Sequence, residues 1–416
     1  MNTRLANWLQ QVTQSARAML DMSSTEDPVS DLVGRANELL SRKGEATGLA
    51  LANSVVSGWY GLSPEQRAEW FQQLLGEFGV DEEELKSAID SYQSEPSSVA
   101  LAHLHKASEP RRQELFRRFN AAPGGLECLI QMRAELRLLQ REDPQLKAIE
   151  HDFLHLFSSW FNKGFLILRQ IDWNTPAHIL EKLIQYESVH EIQGWNDLRR
   201  RLADDRRCFG YFHPMMPDEP LIFVEVALVN GMADAIAPLL APLVEDAPEP
   251  DTAVFYSINN CQPGLSGVSF GNLLIKQVAS RLQSEMPNLK RFVTLSPVPG
   301  FRKWVERHFE SVVEEDLTSL CALYLTQKRG SRLLDPVARF HLGNGARLER
   351  VNLAADASEI RQKQSYGIMV NYLYEPDLIV DNHEKLMEEG VIALSKSVQQ
   401  LVKTADAKYS EQIYDR

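Results

Sequence analysis

Ser296 and His341 are the two side chains whose type and setting suit proton chemistry. Ser296 follows the strand-like run 291–295, at the end where an α/β sheet offers its ligand side. Pro297 and Pro299 stiffen the chain around its hydroxyl. His341 stands just before Gly343-Asn344-Gly345, a tight turn able to present an imidazole to a cleft. The pair has the composition of a nucleophilic dyad, but no G-x-S-x-G elbow and no third member accompany it, which disfavours a hydrolase. Each residue also has a plainer explanation. Serine is a common turn or N-cap residue, and a single histidine commonly sits on the surface or satisfied in a core.

A second constellation is the loop after the strand-like run 252–258. It reads Asn259-Asn260-Cys261-Gln262-Pro263-Gly264-Leu265-Ser266-Gly267-Val268-Ser269 and leads into a helix with Phe270, Leu274, Val278 and Leu282 on one face. A glycine-bearing loop at a helix N-terminus can point backbone N–H groups at an anion, with the helix dipole in support. Gly264, Gly267 and Gly271 permit backbone angles or approaches that a Cβ would block. Without a Gly-Lys-Ser/Thr or a G-x-G-x-x-G, the loop is neither a Walker P-loop nor a dinucleotide fingerprint, so a phosphate-bearing ligand other than an NTP or NAD is expected. The same glycines and serines equally suit a plain connection.

Other reactive types carry less. Glu225 interrupts an apolar strand and needs either a partner, an arginine nearby, or a raised pKa. Cys261 has no cation beside it to lower its pKa and reads as structural. His213, His308 and His383 lack the spacing of a metal site, and no metal is expected.

Two kinds of element must position these groups. Residues 1–164 read as helices throughout: Leu5, Leu9 and Val12 repeat at helical spacing, as do Leu32, Ala36 and Leu39. Ser63-Pro64-Glu65-Gln66 is a helix start followed by Trp70, Leu74 and Phe78, and Asp81 with Glu84 resembles another. From 165 onward strands and helices alternate, with strands expected at 165–168, 208–213, 221–229, 347–353 and 366–374, a turn at 214–220, and helices at 176–186, 195–203, 316–329 and 385–403. The expectation is a mixed α+β chain: an all-helical N-terminal domain, 1–164, for scaffolding or oligomerisation, then an α/β domain, 165–416.

Composition narrows the partners. A net charge of −13 argues against nucleic acid or an anionic membrane as the main partner, and no run approaches 18 apolar residues. The four cysteines, at 128, 208, 261 and 321, form no C-x-x-C and suit a reducing compartment. Residues 1–20 carry Arg4 and Arg17 but no acid, as transit peptides do, although a folded helix fits as well and the cytoplasm is preferred.

Several blocks carry a resemblance. Residues 219–228, 255–258, 264–268, 295–301 and 336–346, together with 186–207 around Val189, His190 and Trp195, resemble malonyl-CoA decarboxylases. The resemblance covers most of 165–375 in order. It implies a GNAT-like acyl-CoA-binding fold for 165–416, in which two neighbouring parallel strands splay to admit CoA. It implies conversion of malonyl-CoA to acetyl-CoA and CO2 through an enolate with no cofactor, and a homo-oligomer, a tetramer through the helical domain. Ser296 and His341 match the family's catalytic serine and histidine. Gly264, Leu265, Ser266, Gly267, Val268, Ser269, Phe270, Gly271 and Asn272, with Ser296 and His341, match its substrate-binding set. Ser269 replaces an acid expected in animal relatives, and the C-terminus is not a peroxisomal address. Two rival readings remain: a GNAT-type N-acyltransferase, which would release CoA only with an amine acceptor, and a CoA-binding scaffold, which would bind without turnover.

Overall fold

The structure, a computed structural model, describes residues 27–41, 44–162, 164–242, 249–268 and 273–414. The expected helix around Leu5, Leu9 and Val12, the transit-like feature of 1–20 and the loop residues Ser269, Phe270, Gly271 and Asn272 lie outside these. The chain forms two compact units. One holds residues up to Leu166 with His213–Pro217 and Gln262–Ser269, and the other holds the remainder.

In the first unit eight α-helices follow one another among the described residues: α1 Pro28–Ser41, α2 Glu45–Gly61, α3 Pro64–Gly76, α4 Glu82–Ser94, α5 Ser98–Ala107, α6 Arg111–Asn120, α7 Gly125–Leu139 and α8 Lys147–Trp160. Their starts are encoded locally. The Ser63 hydroxyl accepts from the Gln66 N–H and the Gln66 side chain answers from the Ser63 N–H, a full capping box. Asp81 accepts from the Glu84 N–H at 3.0 Å. Each such cap contributes about 1 kcal/mol. Burial supplies the rest. Leu32, Ala36 and Leu39 of α1, Trp70 and Leu74 of α3 and Phe153 of α8 are sealed from water, and Phe153 stacks on Phe116 of α6 at 4.3 Å.

The second unit is built on an eight-stranded sheet: β1 Ile167–Ile171, β2 Arg206–His213, β3 Met216–Val229, β4 Thr252–Asn260, β5 Arg291–Thr294, β6 Ser296–Pro297, β9 Arg347–Asn352 and β10 Met369–Tyr374. A two-stranded ribbon, β7 Lys328–Arg329 and β8 Arg332–Leu333, turns about Gly330. The order is β1-β2-β3-β4-β5-β10-β6, with β9 on β10. The β3/β4 and β5/β10 pairs are antiparallel, whereas β4 and β5 run parallel. Around the sheet lie α9 Ala177–Tyr186, α10 Trp195–Arg201, α11 Leu273–Glu285, α12 Phe301–His308, α13 Leu317–Thr326, α14 Pro336–Gly343, α15 Glu359–Ser365 and α16 Lys396–Tyr414.

Two irregularities shape this sheet. Glu225 pairs with Ser257 but Val226 with Phe255, so Tyr256 is an extra residue, a bulge that re-aims the far half of β4. The β4/β5 ladder runs only from Thr252↔Arg291 to Phe255↔Thr294, closed by the Leu295 N–H on the Phe255 carbonyl at 3.0 Å. Beyond it β4 continues along β3 to Asn260, while Ser296 and Pro297 pair with β10. The parallel strands therefore part at Phe255, as the GNAT-like expectation requires.

Several boundaries differ from those read in the sequence. The stretch 214–220 is not all turn: β3 starts at Met216, after a two-residue connection. The strand expected from 366 starts at Met369, because Tyr366 takes a left-handed conformation (φ 56°) and ends α15. The helix expected over 385–403 is broken. A short helix, Ile379–Glu384, and a π turn, Lys385–Glu389, stop at Gly390 (φ 70°), and α16 starts only at Lys396, behind Ser395, whose hydroxyl accepts from the Val398 N–H.

Candidate active site

Thr294 and Ser296 are two residues apart in extended chain, so their side chains leave the same face of the sheet. Tyr372 and Tyr374 alternate in the same way on β10, which pairs with both β5 and β6. Across from them α14 brings His341 in its last turn. Asp335 starts this helix by accepting the Val337 and Ala338 N–H groups at 2.9 and 2.8 Å, with Pro336 at the first helical position. Gly345 (φ 81°) ends it, where a Cβ would meet the Ile379 carbonyl at 2.0 Å.

These elements bring Ser296 and His341 together. Ser296 Oγ lies 3.1 Å from His341 Nε2, and His341 Nδ1 lies 2.8 Å from the Tyr374 hydroxyl. The Ser296 hydroxyl donates to Thr294 Oγ1 at 2.8 Å, and that oxygen also accepts the Tyr372 N–H. The network assigns the tautomer: with the serine proton on Thr294, His341 donates from Nε2 to Ser296 and accepts from Tyr374 at Nδ1. Tyr372 stacks on the imidazole at 4.6 Å and 22°. Ser296 is 5% and His341 3% exposed. Burial pushes the imidazole pKa down to about 3 and the Tyr374 phenol well above its ordinary value, so both are neutral at physiological pH.

The loop residues fall elsewhere in the chain's organisation. Residues 264–268 belong to the helical unit. Gly264 is buried where a Cβ would meet the Ile130 carbonyl of α7 at 1.9 Å, so close helix packing is what it permits. Gly267 takes φ 82°. The Ser266 carbonyl accepts from Arg133 Nη2 at 2.8 Å and Arg137 Nη1 at 2.7 Å, and the Gly264 carbonyl accepts from Arg133 Nη1. Arg133 is fully buried and pairs with Glu150 at 2.7 Å.

The remaining sequence candidates have structural partners. Glu225 is fully buried and pairs with Arg201 at 2.8 Å, and burial, with the Glu187 charge adding to it, raises its pKa to about 8. Burial likewise holds the Cys261 thiol protonated. His308 and His383 each bond a backbone carbonyl, and His213 accepts the Met215 N–H. Sequence reasoning missed Tyr374, Thr294, Tyr372 and Asp335. Two signals were legible, the hydroxyl at every second residue of 294–296 and 372–374, and Asp335-Pro336 as a helix start.

Comparison with known proteins gives the family. Residues 78–161 match the malonyl-CoA decarboxylase N-terminal domain, and 164–318 and 308–412 match the C-terminal domain. The chain belongs to the malonyl-CoA decarboxylase family. It is accordingly a decarboxylase, a carboxy-lyase. The mitochondrial malonyl-CoA decarboxylase of Anser anser anser is 32% identical over 74% of each chain, and that of Mus musculus is 33% identical over 77% of this chain and 78% of its own. The solved malonyl-CoA decarboxylase of Rhodopseudomonas palustris is 46% identical with a TM-score of 0.83, covering 89% of this chain and 99% of its own. That of Agrobacterium vitis is 45% identical with a TM-score of 0.81 over the same shares.

Proposed function

We propose that the chain converts malonyl-CoA to acetyl-CoA and CO2 through an enolate, with Ser296 and His341 as its catalytic residues. The observation that carries the residue assignment is the buried hydrogen-bonded chain from Tyr374 through His341 to Ser296. The substrate supplies its own electron sink: when the C–C bond to the carboxylate breaks, its electron pair moves into the thioester carbonyl. No organic cofactor or metal is required for that step. The protein must hold the carboxylate perpendicular to the thioester plane, place donors at the developing oxyanion and return a proton to carbon.

Ser296 hydrogen-bonds the malonyl carboxylate and orients it for departure. The imidazole is neutral in the free enzyme, which favours a relay over direct protonation by an imidazolium. The serine proton passes to the enolate carbon, the His341 Nε2 proton replaces it on Ser296, and the Tyr374 proton moves to Nδ1. After product release a solvent proton enters at Nε2 and the Nδ1 proton returns to Tyr374, which restores the starting tautomer, so each turnover consumes one proton. The loop 264–272 holds the CoA phosphates, a reading supported by its glycines and its match to the family segment.

At the level of the molecule we place the enzyme in the cytoplasm, as a homotetramer assembled through the helical domain 1–164, serving fatty acid metabolism. The four separated cysteines fit a reducing compartment, and the tetramer is what the family resemblance implies. No helix among the described residues is long and apolar enough to cross a membrane.

Incubation with malonyl-CoA in EDTA, followed by mass spectrometry of the thioester, tests the reaction. Acetyl-CoA and CO2 are expected without an acceptor. Ser296→Ala and His341→Ala should each lower kcat by about 10²- to 10⁴-fold with little change in KM. CoA release that depends on an added amine would instead indicate an N-acyltransferase.

A further inference from the structure

We infer that Tyr324 and Asp335 form a brace that sets the distance between Ser296 and His341, both acting as positioning residues for the reaction. The inference rests on the assignment of Ser296 and His341 made above.

Asp335 is fully buried, and its two oxygens have different tasks. Oδ1 caps α14, the helix of His341. Oδ2 faces the Tyr324 hydroxyl of α13 at 3.4 Å. On its other side that hydroxyl fills the space beside Gly300, where a Cβ would lie 2.4 Å from it. Gly300 is four residues beyond Ser296, and Pro297 and Pro299 stiffen the chain between them, so a shift at Gly300 is carried to the serine. One phenolic oxygen thus touches the cap of the His341 helix and the segment of Ser296.

The other side of the imidazole leads back to the same carboxylate. Tyr372 stacks on His341, its hydroxyl is buried with no partner among the described residues, and the Asp335 charge adds to burial in raising its pKa. A two-turn helix tilted at its cap moves the residue in its last turn, and a misplacement of about 1 Å can cost on the order of 10²-fold in rate.

The test is a kinetic double-mutant cycle on the full chain, with Ser296→Ala and His341→Ala in the same assay and thermal unfolding as the check on folding. Tyr324→Phe and Gly300→Ala should each lower kcat about tenfold with KM within about twofold. The double variant should be no slower than the slower single one, because both act on one contact. Asp335→Ala should also lower kcat, and Asp335→Asn, which keeps a capping oxygen, should recover most of it. Wild-type kcat in Tyr324→Phe, or effects that multiply in the double variant, would overturn the brace alone. Full turnover in Ser296→Ala and His341→Ala would overturn the site assignment and the brace with it.

Discussion

His341 shows what burial does to a titratable residue. Unfolded, an imidazole binds a proton below about pH 6.5, whereas in the folded chain it does so only near pH 3. The unfolded state therefore binds more protons between these values, and the stability present above pH 6.5 is lost as the pH falls. Relative to His341→Gln, the wild type should lose about 2 kcal/mol between pH 7 and pH 5, measured by urea unfolding at the two pH values. Equal losses in both proteins would mean that the imidazole is charged or open to water. The sequence pointed to the serine and the histidine because their neighbours match a family, although each type is common in turns, caps and cores. It did not show Tyr374, because its place at Nδ1 follows from the register of β10 against β5, a pairing of residues some eighty positions apart.

Elements fix these positions at their ends. Capping was legible where it is local: Ser63 and Gln66, three residues apart, form the full box, and Asp81 makes the N-cap half of one by accepting from the Glu84 N–H. Helix interruptions decided by one backbone angle were not, as Gly390 and Tyr366 show, since apolar spacing continues through both. The clamp of α7 on residues 264–266 is the most consequential non-local contact at this scale. Replacing Arg133 by Met would leave Glu150 with only the 3.9 Å contact to Arg137, the Ser266 carbonyl with Arg137 alone and the Gly264 carbonyl without its arginine donor, a cost of about 3 kcal/mol, at the low end for a buried pair broken on one side. Thermal unfolding should fall by roughly 10 °C, and hydrogen exchange should rise across 262–268. Arg137→Met, which removes a half-buried side chain and leaves Arg133 in place, should do much less. Similar exchange in Arg133→Met and wild type would show that the clamp does not order the loop.

For the whole molecule, the change of composition at Gly164 marks where helices give way to alternating elements, while compactness groups 213–217 and 262–269 with the helices. Such long-range membership leaves no periodicity to read. A fragment of 165–416 lacks Ile130, Arg133 and Arg137, so residues 262–268 lose what they pack and bond against. That fragment, made alone, should be poorly soluble and without turnover, and co-expression with 1–164 should restore both; an active isolated fragment would contradict this. The Gly264 seat against Ile130 also has a consequence for synthesis. The helical unit leaves the ribosome first, but the segment that completes it arrives about a hundred residues later, a delay of about 5–20 s at ordinary elongation rates. For that interval the nascent helices expose the groove meant for Gly264 and hold Arg133 with its carbonyl partners still unmade, a stage at which a chaperone would find its target.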